Sequence, residues 1–129
     1  MVTYGFTKDV AMSFEEATEV VSEELKKEGF GILTKIDVRE KFREKLGIGF
    51  KKYVILGACN PPSAHKAILA EENIGLMLPC NVIVYEKADR TAISIIRPTV
   101  AMGMIENDEL RAIAAEVEAK LAKVFKSIQ

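Results

Sequence analysis

The sequence has no tryptophan, one histidine and two cysteines among 129 residues. The lone histidine, His65, has no placed partners, so a Ser-His-Asp set has no support. Cys59 and Cys80 are too few for a disulfide framework, which points to a reducing cytoplasm. No apolar run approaches the roughly 20 residues of a membrane helix. The opening MVTYGFTKDV lacks the basic and apolar regions of a signal peptide. Net charge is also scarce. A formal value of -1 argues against a general nucleic-acid binder, which needs a dominant positive field. Low-complexity tracts and internal repeats are missing. No carboxylate pair stands out from the solvated glutamates, so glycosidase-like chemistry has no support either.

What is present describes a soluble globular chain, 49% hydrophobic and 29% charged. Its length suits a single domain over 1–129, able to bury a core without disulfides or metal. Val2 to Lys8 alternates as a first strand. Ser13 with Glu16 forms a capping box that opens a helix, and Phe14, Ala17, Val21 and Leu25 make its apolar face before Gly29 stops it. Phe30 to Asp37 reads as a second strand and Val38 to Leu46 as a short helix ended by Gly47. Tyr53 to Cys59, apolar almost throughout, reads as a third strand near the sheet centre. Asn60 caps a helix with Pro61 at its first position, running to about Glu72 with Ala64, Ala67, Ile68 and Leu69 inward. Asn81 to Lys87 and Thr91 to Arg97 form a hairpin. Thr99 to Glu106 is a loop. Asn107 or Asp108 then caps a long helix whose stripe (Leu110, Ile113, Ala114, Val117, Leu121, Val124, Phe125) is expected to lie across one sheet face. The order β-α-β-(α)-β-(α)-β-β-α indicates an α+β fold with a mainly antiparallel sheet of about five strands.

Leu56 to Glu86 holds both cysteines and the histidine. With the two flanking strands as antiparallel neighbours, Cys59, Asn60, Cys80 and Asn81 meet at one end of the sheet. The asparagines supply amide donors and acceptors. The helix starting at Pro61 aims its positive end at the cluster, where it could stabilise a Cys59 thiolate. His65, one turn further on, is placed to reach inward.

Gly57-Ala58-Cys59-Asn60-Pro61, Ala64-His65-Lys66-Ala67, Gly75-Leu76, Leu78-Pro79-Cys80-Asn81-Val82 and Val84-Tyr85-Glu86 together resemble the bacterial and archaeal family called domain of unknown function 302. Ile68 stands where that family would have Leu. The resemblance implies a TATA-binding-protein-like α+β fold and homodimers. It carries no implication of DNA binding or of a reaction, and the cofactor stays unknown.

Four readings compete for the cluster. The favoured one is binding or sensing of a small polar or anionic ligand by Cys59, Asn60, His65, Cys80 and Asn81. The second is a thiol-dependent enzyme or redox sensor, with Cys59 reactive, Cys80 resolving and His65 as base. The third, a metal held by Cys59, Cys80 and His65, lacks the close C-x-x-C pairs of structural zinc sites. The fourth is structural: buried thiols, capping asparagines and a surface histidine, in a partner-binding homodimer without a small-molecule site. Elsewhere, the basic residues from Lys35 to Lys52 read as a solvated helix face. Their pairing with the acidic helix after Ser13 across a homodimer is a further expectation. Gly47-Ile48-Gly49 follows a helix and precedes a strand, the wrong order for a nucleotide loop. Met102 and Met104 read as core filling, with a mobile lid as the alternative.

Overall fold

The computed structural model describes residues 3–129. The strands are β1 (Gly5–Val10), β2 (Gly31–Asp37), β3 (Tyr53–Cys59), β4 (Cys80–Lys87) and β5 (Arg90–Ile96). They form one antiparallel sheet in the order β1-β5-β4-β3-β2. The helices are α1 (Phe14–Lys27), α2 (Val38–Leu46), α3 (Pro61–Ala70), α4 (Pro98–Ala101) and α5 (Asp108–Ser127), with a 3₁₀ helix over Glu72–Met77. This is the α+β arrangement expected, with β3 and β4 paired and the long last helix on the sheet. Val2, read as the start of the first strand, lies outside the described residues.

The helix ends follow from local chemistry. Ser13 Oγ accepts the Glu16 N–H at 3.1 Å and starts α1. At the other end Gly29 turns left-handed at φ 85°. The Phe30 N–H then reaches Leu25 O at 2.9 Å and the Gly29 N–H reaches Lys26 O at 3.0 Å, which stops the helix and drops Phe30 into the core. Asn107 Oδ1 accepts the Leu110 N–H at 3.0 Å and starts α5.

Period-2 alternation sorts the sheet into two faces. Val54, Leu56, Ala58, Val82, Val84, Ile93 and Ile95 pack against Ala17, Val21 and Leu25 of α1 and Val117, Leu121 and Val124 of α5. The opposite face carries Tyr53, Ile55, Ile83 and Tyr85, and neither α1 nor α5 covers it. β3 is therefore interior in the sheet but buried on one face only. A second, smaller cluster joins Ala67, Ile74 and Leu110.

Two expectations are corrected around α3. Ile68 and Leu69 point outward, 44% and 73% exposed. α3 meets the body through Ser63 and Ala67, and Ile74 of the 3₁₀ helix supplies the large buried side chain instead. The loop read over Thr99 to Glu106 begins as α4, with Pro98 at its first position.

One charged side chain ties a helix end to the sheet. Lys8 Nζ donates to Phe125 O and Ile128 O, both at 2.7 Å, at the C-terminus of α5. A cation there adds a donor to carbonyls of the last turn, where Phe125 O otherwise takes only the Ile128 N–H at 3.3 Å, and meets the negative end of the helix dipole. Burial pushes the Lys8 pKa down without removing this contact. Lys8→Met should lower stability by about 1–2 kcal/mol. In urea unfolding the midpoint should fall while the slope stays unchanged.

Candidate functional site

A concave cavity opens where α3 and α5 meet the shared end of β3 and β4. Its envelope is about 430 Å³ counting the solvent at its mouth, and about 40 Å³ of it admits the centre of a water-sized sphere. The walls are Phe30, Ala58, Cys59, Cys80, Ala67, Ala114 and their neighbours, and they are mostly apolar. The cavity lies along the seam between the two hydrophobic clusters, with Ala58, Cys80 and Val117 from one and Ala67 and Leu110 from the other. It exists because alanines face each other there. Side chains this small cannot fill the space between α3, α5 and the sheet at normal packing density.

Of the five candidate residues, the cavity gathers Cys59, Asn60 and Cys80. It does not gather His65 or Asn81. His65 is exposed on α3, on the side away from Ser63 and Ala67. Asn81 follows Cys80 in a strand, so when Cys80 enters the core Asn81 projects to the opposite face, where it is exposed. There it borders a second concavity, with an envelope of about 520 Å³ counted in the same way, bounded also by Met77, Ile96 and Met102.

Asn60 lines the cavity, but its amide is committed. Oδ1 accepts the Ser63 N–H at 3.3 Å as the cap of α3, and Nδ2 donates to Glu28 O at 3.4 Å. A side chain at Gly29 would sit 3.1 Å from that Nδ2, so glycine leaves room for the amide. On β3, a methyl at Gly57 would come within 2.7 Å of Pro79, one of the cavity walls, and closer still to Thr34 Oγ1. The asparagine that looked like a ligand donor is thus a clamp between the end of α1 and the start of α3.

The thiols are neutral groups here. Burial pushes the Cys59 pKa above its ordinary value. Burial, with the neighbouring Cys59, pushes Cys80 up to about 11. At the start of α3 the Ser63 N–H is already taken by Asn60. No base faces either sulfur from His65. Among the described residues, no three His, Cys, Asp or Glu side chains converge as metal ligands.

The roof is Pro98 and Met102, on and just after α4. Glu118 of α5 holds it. Its Oε1 accepts the Thr99 N–H at 2.9 Å and the Thr99 hydroxyl at 2.6 Å, and its Oε2 accepts Arg97 Nε at 3.2 Å. Burial pushes the Glu118 carboxyl up, but the bonds from Thr99 and Arg97 outweigh it and leave the group below the ordinary range. Met102 therefore fills core, as read from the sequence, and also walls the cavity, whereas Met104 is exposed. Motif reading overlooked the alanines, Phe30 and the α4 roof. Ala64, Ala67 and Ala114 carried a signal only as small residues on helix faces that turn toward one another.

Fold and site together define the class: a two-layer α+β domain with a thiol-lined apolar cavity at one end of its sheet. Residues 6–128 match the family described as Domain of unknown function DUF302, and the chain belongs to that family. Its structure is similar to the crystal structure of an uncharacterized conserved protein DUF302 from Bacillus stearothermophilus. The two share 36% identity over 99% of this chain and 100% of that one, with a TM-score of 0.91. No curated protein matches the chain. The function of the family is unknown.

The Cys80 shift gives a stability prediction with a definite sign. Above the ordinary thiol value of 9.0 an unfolded Cys80 loses its proton while the folded one keeps it to about 11. The unfolded state then binds fewer protons, so stability falls as pH rises through that window. The loss attributable to Cys80 should be on the order of 2 kcal/mol by pH 11. Cys80→Val should flatten that part of a denaturation-against-pH curve. Iodoacetamide should leave native Cys80 unmodified at neutral pH.

Proposed function

We propose that the domain binds or senses a small, largely apolar, uncharged molecule in the cavity between α3, α5 and the β3–β4 end. One observation carries this reading: a preformed concavity walled mostly by alanine, proline, methionine and thiol, in which the Asn60 amide is already paired. Such a surface is poorly wetted and gains by taking up an apolar body. The polar or anionic ligand expected from the two asparagines has less support, because one amide is committed and the other faces away. The thiol-chemistry reading loses its low-pKa nucleophile and its base. Two cysteines without a disulfide partner accord with a reducing cytoplasmic setting. The TATA-binding-protein-like description of the layout adds no nucleic-acid role to this reading.

Ala67→Leu tests it, because Ala67 is buried in the wall and the added carbons enter the cavity. Methyl NMR would follow titration with toluene and with 1-butanol, using inorganic phosphate as the charged comparison. The apolar probes should shift the Ala64, Ala67 and Ala114 methyls of the wild type, phosphate should not, and Ala67→Leu should weaken probe binding at least tenfold. Shifts from phosphate alone, or unchanged probe binding in Ala67→Leu, would count against an apolar pocket.

A further inference from the structure

One polar group in the cavity wall is not used by the fold. Ser63 lines the cavity and is only 8% exposed. Its backbone N–H is bonded to Asn60 Oδ1, but its hydroxyl has no partner among the described residues. No side-chain oxygen or nitrogen that is fully shut off lacks a partner. The Ser63 oxygen therefore still meets open space, and the space beside it is the cavity. An unbonded hydroxyl in an apolar wall is a cost that a guest recovers by bonding to it. The start of α3 decides what kind of guest. Pro61 and Pro62 have no N–H, Asn60 Oδ1 takes the Ser63 N–H, and Asn60 O takes the Ala64 N–H at 2.9 Å. None of the first four residues of the helix thus has a free N–H for an anion. No residue lining the cavity is Lys, Arg, His, Asp or Glu. The dipole of α3 remains, and it favours a partial negative charge beside Ser63.

We infer that the molecule taken up here is a small carbonyl compound, an apolar body with one uncharged acceptor oxygen, and that Ser63 Oγ donates a hydrogen bond to that oxygen. The inference rests on the apolar reading above and narrows it. Ser63 is the one lining residue with a hydroxyl, so the wall offers one good donor. The Asn60 amide is committed, and the Cys59 and Cys80 thiols are weak donors. A carbonyl oxygen needs one donor and brings no charge to bury. A carboxylate or phosphate needs several donors and a countercharge, and these walls supply neither. A hydrocarbon of the same shape fits the walls but leaves the hydroxyl unbonded. Discrimination between a carbonyl compound and its hydrocarbon isostere is therefore set at Ser63.

Methyl NMR titration of the full chain tests the inference with two probes of one shape. Cyclopentanone carries the oxygen, and methylenecyclopentane has a CH2 group in its place. Both should shift the Ala64, Ala67 and Ala114 methyls of the wild type. Ser63→Ala should weaken cyclopentanone binding about fivefold, the size of one neutral hydrogen bond, and leave methylenecyclopentane binding unchanged. The same variant breaks no bond within the chain, so its melting temperature should not fall. A clear fall in melting temperature would show that the hydroxyl is bonded within the fold, and overturns the inference. Equal weakening of both probes by Ser63→Ala, or undiminished cyclopentanone binding, also overturns it while leaving the apolar pocket in place. Wild-type methyls that respond to neither probe overturn both readings together.

Discussion

The buried amide of Asn60 is the constraint from which the site follows. It begins α3 by capping Ser63 and holds the last carbonyl stretch of α1 through Glu28. Gly29 makes the meeting sterically feasible and Phe30 follows it into the core. The start of α3 is thereby fixed beside the ends of β3 and β4, and α3 approaches α5 at the distance its alanines set. A clamp of this kind uses both ends of one amide for structure. It leaves the surrounding surface mostly apolar.

Two consequences meet at the sheet. On its covered face the hydrophobic core divides into two clusters, and the alanine-lined seam between them stays partly empty. On its other face isoleucine and tyrosine rows stand without a covering layer. Both are places where apolar surface is built and not filled from within the chain. The thiols at the seam are held neutral by the same low-polarity surroundings, which makes them walls rather than nucleophiles. Glu118 adds a dependence on acid. Its carboxyl is held below the ordinary range, so the support it gives to the α4 roof is present at neutral pH and is lost as pH falls through its folded value.

Most of the fold was legible because its signals are local. Ser13, Asn60 and Asn107 were readable as caps and each accepts the expected first-turn N–H. The stripes of α1 and α5 have helical period, and α2 and β3 begin and end at the residues read from the pattern. The site was half legible. Its two cysteines and Asn60 stood out, and β3 and β4 do pair. Asn81 was misplaced because strand parity depends on where the strand begins, and β4 begins one residue earlier, at Cys80. Ile68 and Leu69 were placed inward by hydrophobicity, whereas close approach selects the small residues of α3. The bond from Asn60 to Glu28 spans distant parts of the chain, and no local pattern announces it.

The most direct test of a preformed apolar cavity is a crystal of the wild type pressurised with xenon, which enters dry apolar spaces and avoids polar ones. The expected result is a xenon peak between Ala67, Ala114 and Cys80, with α3 and α4 unmoved. Ordered waters hydrogen-bonded in that space, with no xenon beside them, would contradict it.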